Sequence, residues 1–372
     1  MVSDAVAWRR HLHRHPELSF NEHETARFVQ ETLASFGGLE IQTPTATSVV
    51  ARLRGARPGR ALVLRADLDA LPIQEASGEG FASEREGVMH ACGHDGHTAM
   101  LLGVARLLVA RRSELAGEVR FVFQHAEEQP PGGASELVAA GVVDGVDAVI
   151  GCHLLSTLEL GRIAVRDRCC TAAADTFAVS IQGRGGHAAF PHETVDPVLA
   201  SAVAITSLQQ VVSRNSPPLE SVVVSVTRVL GGTADNVIPN EVELRGTVRT
   251  FNPDVRERTI AAMRRIFDGV SAAHGASHEF QYTKGYDPVI NDPALAAIIR
   301  EVVGQERIIE TDPLMAGDDF CAYLQIAPGC LFFVGAGDSS AFPHHHPEFR
   351  IDERALSIGI ETLTASALRF LA

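Results

Sequence analysis

The chain has 372 residues, 45% of them hydrophobic, and a formal net charge of −14 from 46 acidic and 32 basic residues. That length exceeds what one typical domain needs, so two domains are expected. The acid excess, with no Lys/Arg run longer than two, argues against binding to nucleic-acid phosphates.

Lys284 is the only lysine. This excludes a phosphate loop, whose lysine lies between Gly and Ser or Thr, and leaves one poor candidate for Schiff-base chemistry. Six cysteines in so long a chain do not make a disulfide framework. "MVSDAVAWRRHLHRHPEL" at the N-terminus lacks the apolar stretch of a secretion signal, and no apolar run approaches a membrane span. A cytoplasmic protein is expected.

In chain order, the first 170 residues alternate strand and helix signals. "ALVLRAD" (61–67) predicts a strand, "HTAMLLGVARLLVARR" (97–112) a helix and "EVRFVFQ" (118–124) a strand. "GASELVAAGVV" (133–143) reads as a helix and "DAVIGCH" (147–153) as a strand. Such alternation predicts βαβ units and a mostly parallel sheet. The pattern then changes to strand 175–183, helix 196–214, strands 221–232 and 240–251, helix 253–275 and strand 277–285. That order, βαββαβ, is the ferredoxin-like split βαβ. The first pattern resumes with helices near 293–304 and 317–326, the strand "CLFFVGAG" (330–337) and a last helix near 352–371. The expected fold class is α/β: a mostly parallel-sheet domain of residues 1–174 and 286–372, interrupted by a ferredoxin-like domain of residues 175–285.

Ligands of open α/β sheets bind beyond the carboxyl ends of the strands. Asp67 and Asp69 follow the first strand, and "MHACGHDGH" (89–97) lies between it and the next helix. Glu127 and Glu128 follow the second strand, Cys152 and His153 end the third, and "HHHPEF" (344–349) follows the last. Singly, each has a plainer reading. His90 and His97 suit capping or support, Glu127–Glu128 a solvated helix start, and the histidine run a solvated loop. It is the coincidence at one sheet edge that points to metal. "GRGGHA" (183–188) imitates a dinucleotide fingerprint, but Phe190-Pro191 follows at once, where such a fold needs an uninterrupted helix.

These stretches, together with "RRHLHRHPELSFNEHET", "RADLDALPI", "GRGGHAAFPH", "TADNVIPNEVELRGTVRTF" and "MAGDDF", resemble the aminoacylase/carboxypeptidase-type family of dinuclear metallohydrolases. The nearest branch holds hippurate hydrolases, N-acyl-L-amino-acid amidohydrolases and auxin-conjugate hydrolases. The matching stretches run from residue 9 to 349. The resemblance implies metal ligands Cys92, His94, Glu128, His153 and His345, with Glu127 as catalytic base. It also implies an inserted dimerisation domain, hence a homodimer or higher homo-oligomer, in which His187 and Asn236 reach an active site, often the partner subunit's. Arg249 is a candidate for gripping a substrate carboxylate. Arg65, His125 and Asp318 stand where many relatives have His, Pro and Glu.

The activity so implied is hydrolysis of N-acyl-L-amino acids. Two divalent cations polarise the carbonyl and acidify a water, Glu127 moves the proton and His187 stabilises the oxyanion. Asp67 and Asp95 are expected to hold metal-bound imidazoles. A thiolate with three imidazoles favours zinc, cobalt or nickel, and the resemblance adds manganese. Two other readings remain open at this stage: a dipeptidase or aminopeptidase using the same metals, and a metal-stabilised binding protein without turnover.

Overall fold

A computed structural model describes residues 2–372. The first part of the chain forms α1 (Val2–Arg14), α2 (His23–Phe36), β1 (Glu40–Gln42), β2 (Val49–Arg54), β3 (Arg57–Asp67), α3 (His94–Ala110), β4 (Ala116–Gln124), α4 (Gly133–Ala139), β5 (Ala148–Glu159), β6 (Ile163–Ala164) and β7 (Cys169–Thr171). Then follow β8 (Ala173–Gln182), β9 (Gly186–His187), α5 (Pro197–Gln210), β10 (Val222–Leu230), β11 (Val237–Ile238), β12 (Glu241–Thr250), α6 (Pro253–His274) and β13 (Ser277–Tyr286). The last part holds β14 (Val289–Ile290), α7 (Pro293–Val303), β15 (Ile308–Ile309), α8 (Cys321–Leu324), β16 (Gly329–Gly337) and α9 (Arg354–Leu371).

The elements pack as two units. One comprises Met1–Cys170, Val289–Pro313 and Asp318–Ala372, the other Thr171–Pro288 and Leu314–Gly317. The larger unit is built on an eight-stranded sheet of order β1-β2-β4-β3-β5-β16-β6-β15. Its centre, β4, β3, β5 and β16, is parallel, while β2 and β6 join it antiparallel. Central parallel strands are covered on both faces, which is why β16 is an unbroken apolar run, buried from Gly329 to Ala336. Helix α3 is buried nearly all round and crosses α9 at close range. A Cβ on Gly359 would lie 2.1 Å from Met100 Sδ, and one on Gly103 would lie 2.7 Å from Ile360 Cδ1. Glycine at both positions is what lets these two helices approach.

The smaller unit is a four-stranded antiparallel sheet of order β10-β12-β8-β13, the order of a split βαβ. Helices α5 and α6 cover one face, with Phe177, Val179, Leu244, Ala204, Met263 and Phe267 in the core. Asp196 caps α5 by accepting from Val198 N–H at 2.8 Å, with Pro197 in the first turn. Beyond Gln182 the chain forms β9 and not a helix, so "GRGGHA" cannot present a helix N-terminus to a pyrophosphate.

Three features differ from the sequence expectation. The helix expected over 317–326 is only Cys321–Leu324. Leu314–Gly317 belong to the smaller unit, and Asp319 turns its carboxylate inward to Arg65, Gln124 and Ala134. The helix expected over 196–214 ends at Gln210 and continues as a wider turn over Val211–Asn215. Helices α1 and α2, which the pattern left unassigned, cover the motif "RRHLHRHPELSFNEHET" on either side of its proline.

Candidate metal centre

The carboxyl ends of β3 and β4 bring Asp67 and the Gln124–Glu128 turn to one edge of the large sheet, and His153 lies level with Asp67 in the middle of β5, which runs on to Glu159 instead of ending at 153 as expected. Gly93, at φ 86°, turns the chain so that Cys92 ends a loop and His94 begins α3. The loop after β16 adds His344 and His345, the latter at φ 65°. All five residues expected as ligands lie in this region. Cys92, His94 and Glu128 each offer a donor atom within 4.8 Å of the others. Cys92 Sγ is 3.6 Å from His153 Nε2, and His345 Nε2 is 3.1 Å from Glu128 Oε1.

The hydrogen bonds assign the ring nitrogens. His94 Nδ1 donates to the Asp69 carbonyl at 2.8 Å, so Nε2 is the ring nitrogen left for a ligand; that atom is buried with no hydrogen-bond partner and lies 3.8 Å from Asp67 Oδ2 and 3.9 Å from Glu128 Oε1. His153 Nδ1 donates to the Leu154 carbonyl at 2.8 Å, which leaves Nε2 towards Cys92. His97 lies in the same group of rings, yet both its nitrogens are used. Its Nδ1 donates to Asp67 at 2.6 Å, and its Nε2 accepts the Leu154 N–H at 2.9 Å. It therefore supports the strand beside His153, the kind of role that orients ligands from behind.

Acids dominate the pocket. Burial alone would depress His94, but Asp67, Asp69 and Glu128 override it and raise its pKa to about 10. Burial, reinforced by Glu128 and Glu127, pushes the Cys92 thiol well above its usual value. Burial, with Asp318 and Glu128, likewise raises Glu127 well above the carboxylate range. A buried imidazole nitrogen without a hydrogen-bond partner, a thiol and a carboxylate around one point, in a surplus of negative charge that a cation would displace protons to meet, is a donor set that fits divalent cations.

The other expected site residues fall as follows. Asp67 accepts from Arg65 Nη1 at 2.7 Å and from His97. The His94 Nδ1–H is taken by Asp69, while Asp67 Oδ2 lies 3.8 Å from His94 Nε2. Asp95, expected to support a ligand imidazole, is instead occupied by Arg9 Nε and His13 Nδ1, both at 2.9 Å. It is the second residue of α3, and its carboxylate fastens α1 to that helix. His187 and Asn236 sit together in the smaller unit: β9 pairs with β11 through His187 and Val237, and Ala188 N–H donates to the Asn236 carbonyl at 3.0 Å. His187 is exposed; its Nδ1 accepts from Ala189 N–H at 3.1 Å, leaving Nε2–H as a donor. Arg249 lies half-buried on β12, with Nη1 on Thr247 Oγ1 and the Val248 carbonyl.

Several residues of the site were given no role there by the sequence reading. His344 Nε2 donates to the same Leu154 carbonyl at 2.9 Å, and its ring joins Cys92 and His153. Arg65 lies between Asp67 and Asp319 with 2.7 Å contacts to both. Asp318 and Asp319 group with Glu127. "DLD" after a strand and the paired "DD" were visible signals, but only the folded chain brings them to Glu127.

Comparison with known proteins agrees with this geometry. Residues 63–369 match the model of peptidase family M20/M25/M40. An N-acyl-L-amino acid amidohydrolase of Geobacillus stearothermophilus is 57% identical over 289 residues, 78% of each chain. Thermostable carboxypeptidase 2 of Saccharolobus solfataricus is 38% identical over 97% of this chain and 94% of its own length. The crystal structure of the Bacillus subtilis YXEP protein, a dinuclear metal-binding peptidase, superposes with a TM-score of 0.89 at 37% identity, covering 100% of this chain and 98% of that one.

Proposed function

The chain belongs to peptidase family M20/M25/M40, and on that premise we propose that it is a metal-dependent amidohydrolase cleaving N-acyl-L-amino acids to a carboxylic acid and a free amino acid. The observation that carries this reading is the convergence of Cys92, His94, Glu128, His153 and His345 beside Glu127, in a chain 57% identical to an N-acyl-L-amino acid amidohydrolase.

Those five side chains would hold two divalent cations, zinc or manganese by preference, with cobalt or nickel as substitutes. Such ions supply Lewis-acid polarisation of a carbonyl and lower the pKa of water. Glu127 takes a proton from the attacking water and returns it to the leaving nitrogen. His187 offers Nε2–H to the oxyanion and Asn236 assists in binding. Arg249 presents a planar fork to the substrate carboxylate once it leaves its contacts on β12.

The proposal includes a homodimer formed through the smaller unit, with His187 serving a site. Two pairs of neighbouring exposed apolar residues on that unit, Val198–Leu199 and Val229–Leu230, are consistent with such an interface. A panel of N-acetyl and N-benzoyl amino acids and dipeptides, assayed with zinc, manganese and cobalt, tests the substrate class. Chelator-sensitive release of free amino acid from the N-acyl compounds is expected. A clear preference for dipeptides would favour the peptidase reading that the carboxypeptidase relative keeps in view, and no turnover on any compound would refute both.

A further inference from the structure

The turn that carries Glu127 is gripped from both sides. Glu22, immediately before α2 and fully buried, accepts the Ala126 N–H on Oε1 at 2.7 Å. Asp69 Oδ2 accepts the Glu128 N–H at 3.0 Å and the Ser19 hydroxyl at 2.7 Å. The amides on either side of Glu127 thus both end on buried acids. Between them Ala126 adopts φ 48°, a left-handed conformation that disfavours any residue with a Cβ. Such a conformation persists only where its surroundings hold it. The Ala126 carbonyl accepts from Gly133 N–H at 3.0 Å, so Glu22 secures the peptide group before Ala126 and the first residue of α4 the one after it. The carboxylate of Glu22 does not belong to any of the ligand-type groups around the metal centre among the described residues. Its Oε1 is spent on the backbone of the catalytic turn.

We propose that Glu22 is a positioning residue for Glu127: through the Ala126 N–H it pins the left-handed turn that presents the base, while Asp69 fixes the other side. This rests on the reading of Glu127 as the base. What the turn needs from position 22 is an acceptor oxygen at the right reach. Glutamine retains that oxygen; aspartate retains the charge but withdraws the oxygen by one methylene; alanine removes it.

The test measures kcat, KM, metal content per chain and melting temperature of the metal-loaded enzyme. Glu22→Gln is expected to keep kcat within ~3-fold of the parent, whereas Glu22→Ala and Glu22→Asp lose ~10- to 100-fold with KM within ~2-fold, the signature of a misplaced catalytic group. Metal content should equal the parent's in all three. Adding Ala126→Gly to Glu22→Ala should recover kcat by ~5-fold or more, because glycine adopts the left-handed φ unaided. Should Glu22→Ala fail to fold, the Asp and Gln variants carry the same comparison. Parent-like kcat in the Asp or Ala variant overturns the proposal. So does metal loss accompanying the loss of kcat, or a Gln variant as slow as Asp, or no rescue by glycine in a folded double variant. Glu127→Gln is measured alongside. If it retains turnover, the base assignment fails whatever Glu22 does; if it alone loses turnover, only the positioning role fails.

Discussion

Cys92 and Glu127 occupy the same pocket but are assigned opposite kinds of work, and single substitutions separate them. Glu127→Gln removes the proton carrier and no ligand, so kcat should fall by ~10²- to 10⁴-fold with metal content unchanged by elemental analysis; near-parental turnover would sink the assignment. Cys92→Ala removes a donor placed within reach of His94, Glu128 and His153, so metal should be released on dialysis; a full metal complement would refute the ligand set. Burial and the neighbouring acids hold the Cys92 proton tightly, and a ligating thiol must lose it. Protons therefore compete with metal, and affinity should weaken as pH falls. The motif "ACGHD" was readable as a source of candidate ligands because its residue types are rare together. Asp95 was misread for the same reason: adjacency to His94 suggested support of a ligand. A helix, however, rotates successive residues by about 100°, and this one turns the carboxylate of Asp95 to Arg9 and His13.

That contact operates at the scale of elements, tying α1 to α3. His13 is buried, which alone would lower its pKa, but Asp95 and Glu75 raise it to about 9. A group whose pKa is raised on folding stabilises the fold fully below its unfolded value, near 6.5, and loses that contribution as pH rises through about 9. The melting-temperature difference between the parent and His13→Gln should therefore be largest at pH 6 and shrink towards pH 9.5. A difference that stays constant over this range would show that the protonated imidazole is not what fastens α1. Of the elements, the central strands and α3 were legible because their apolar runs are long and bounded by polar loops. Helices α1 and α2 were not, since six charged residues and four histidines in "RRHLHRHPELSFNEHET" mask the sparse apolar positions such as Leu12 and Val29 that they bury. Helix α8 was over-read, because the sequence carries no sign that the chain changes units at Gly317.

For the whole molecule, the open test is whether His187 serves a site across subunits. Glu127→Gln and His187→Ala chains, each inactive alone, should regain activity when mixed under conditions that exchange subunits, since one hybrid site then has both an intact base and an intact donor. Absence of recovery with exchange demonstrated by native mass spectrometry would confine His187 to another role. Among the described residues no helix is long and apolar enough to cross a membrane. By itself the sequence determined the α/β class, the alternation of elements, the ferredoxin-like order of the second unit and which residue types could bind metal, because periodicity and residue chemistry are local properties. Only the tertiary structure decided which histidine nitrogens are free, that His97 is spent on Asp67 and Leu154, that Asp69 takes the His94 Nδ1–H, and that Glu22 reaches Ala126 from 104 positions away. Those outcomes depend on which backbone group each side chain meets once the sheet has formed, and spacing along the chain does not encode that distance.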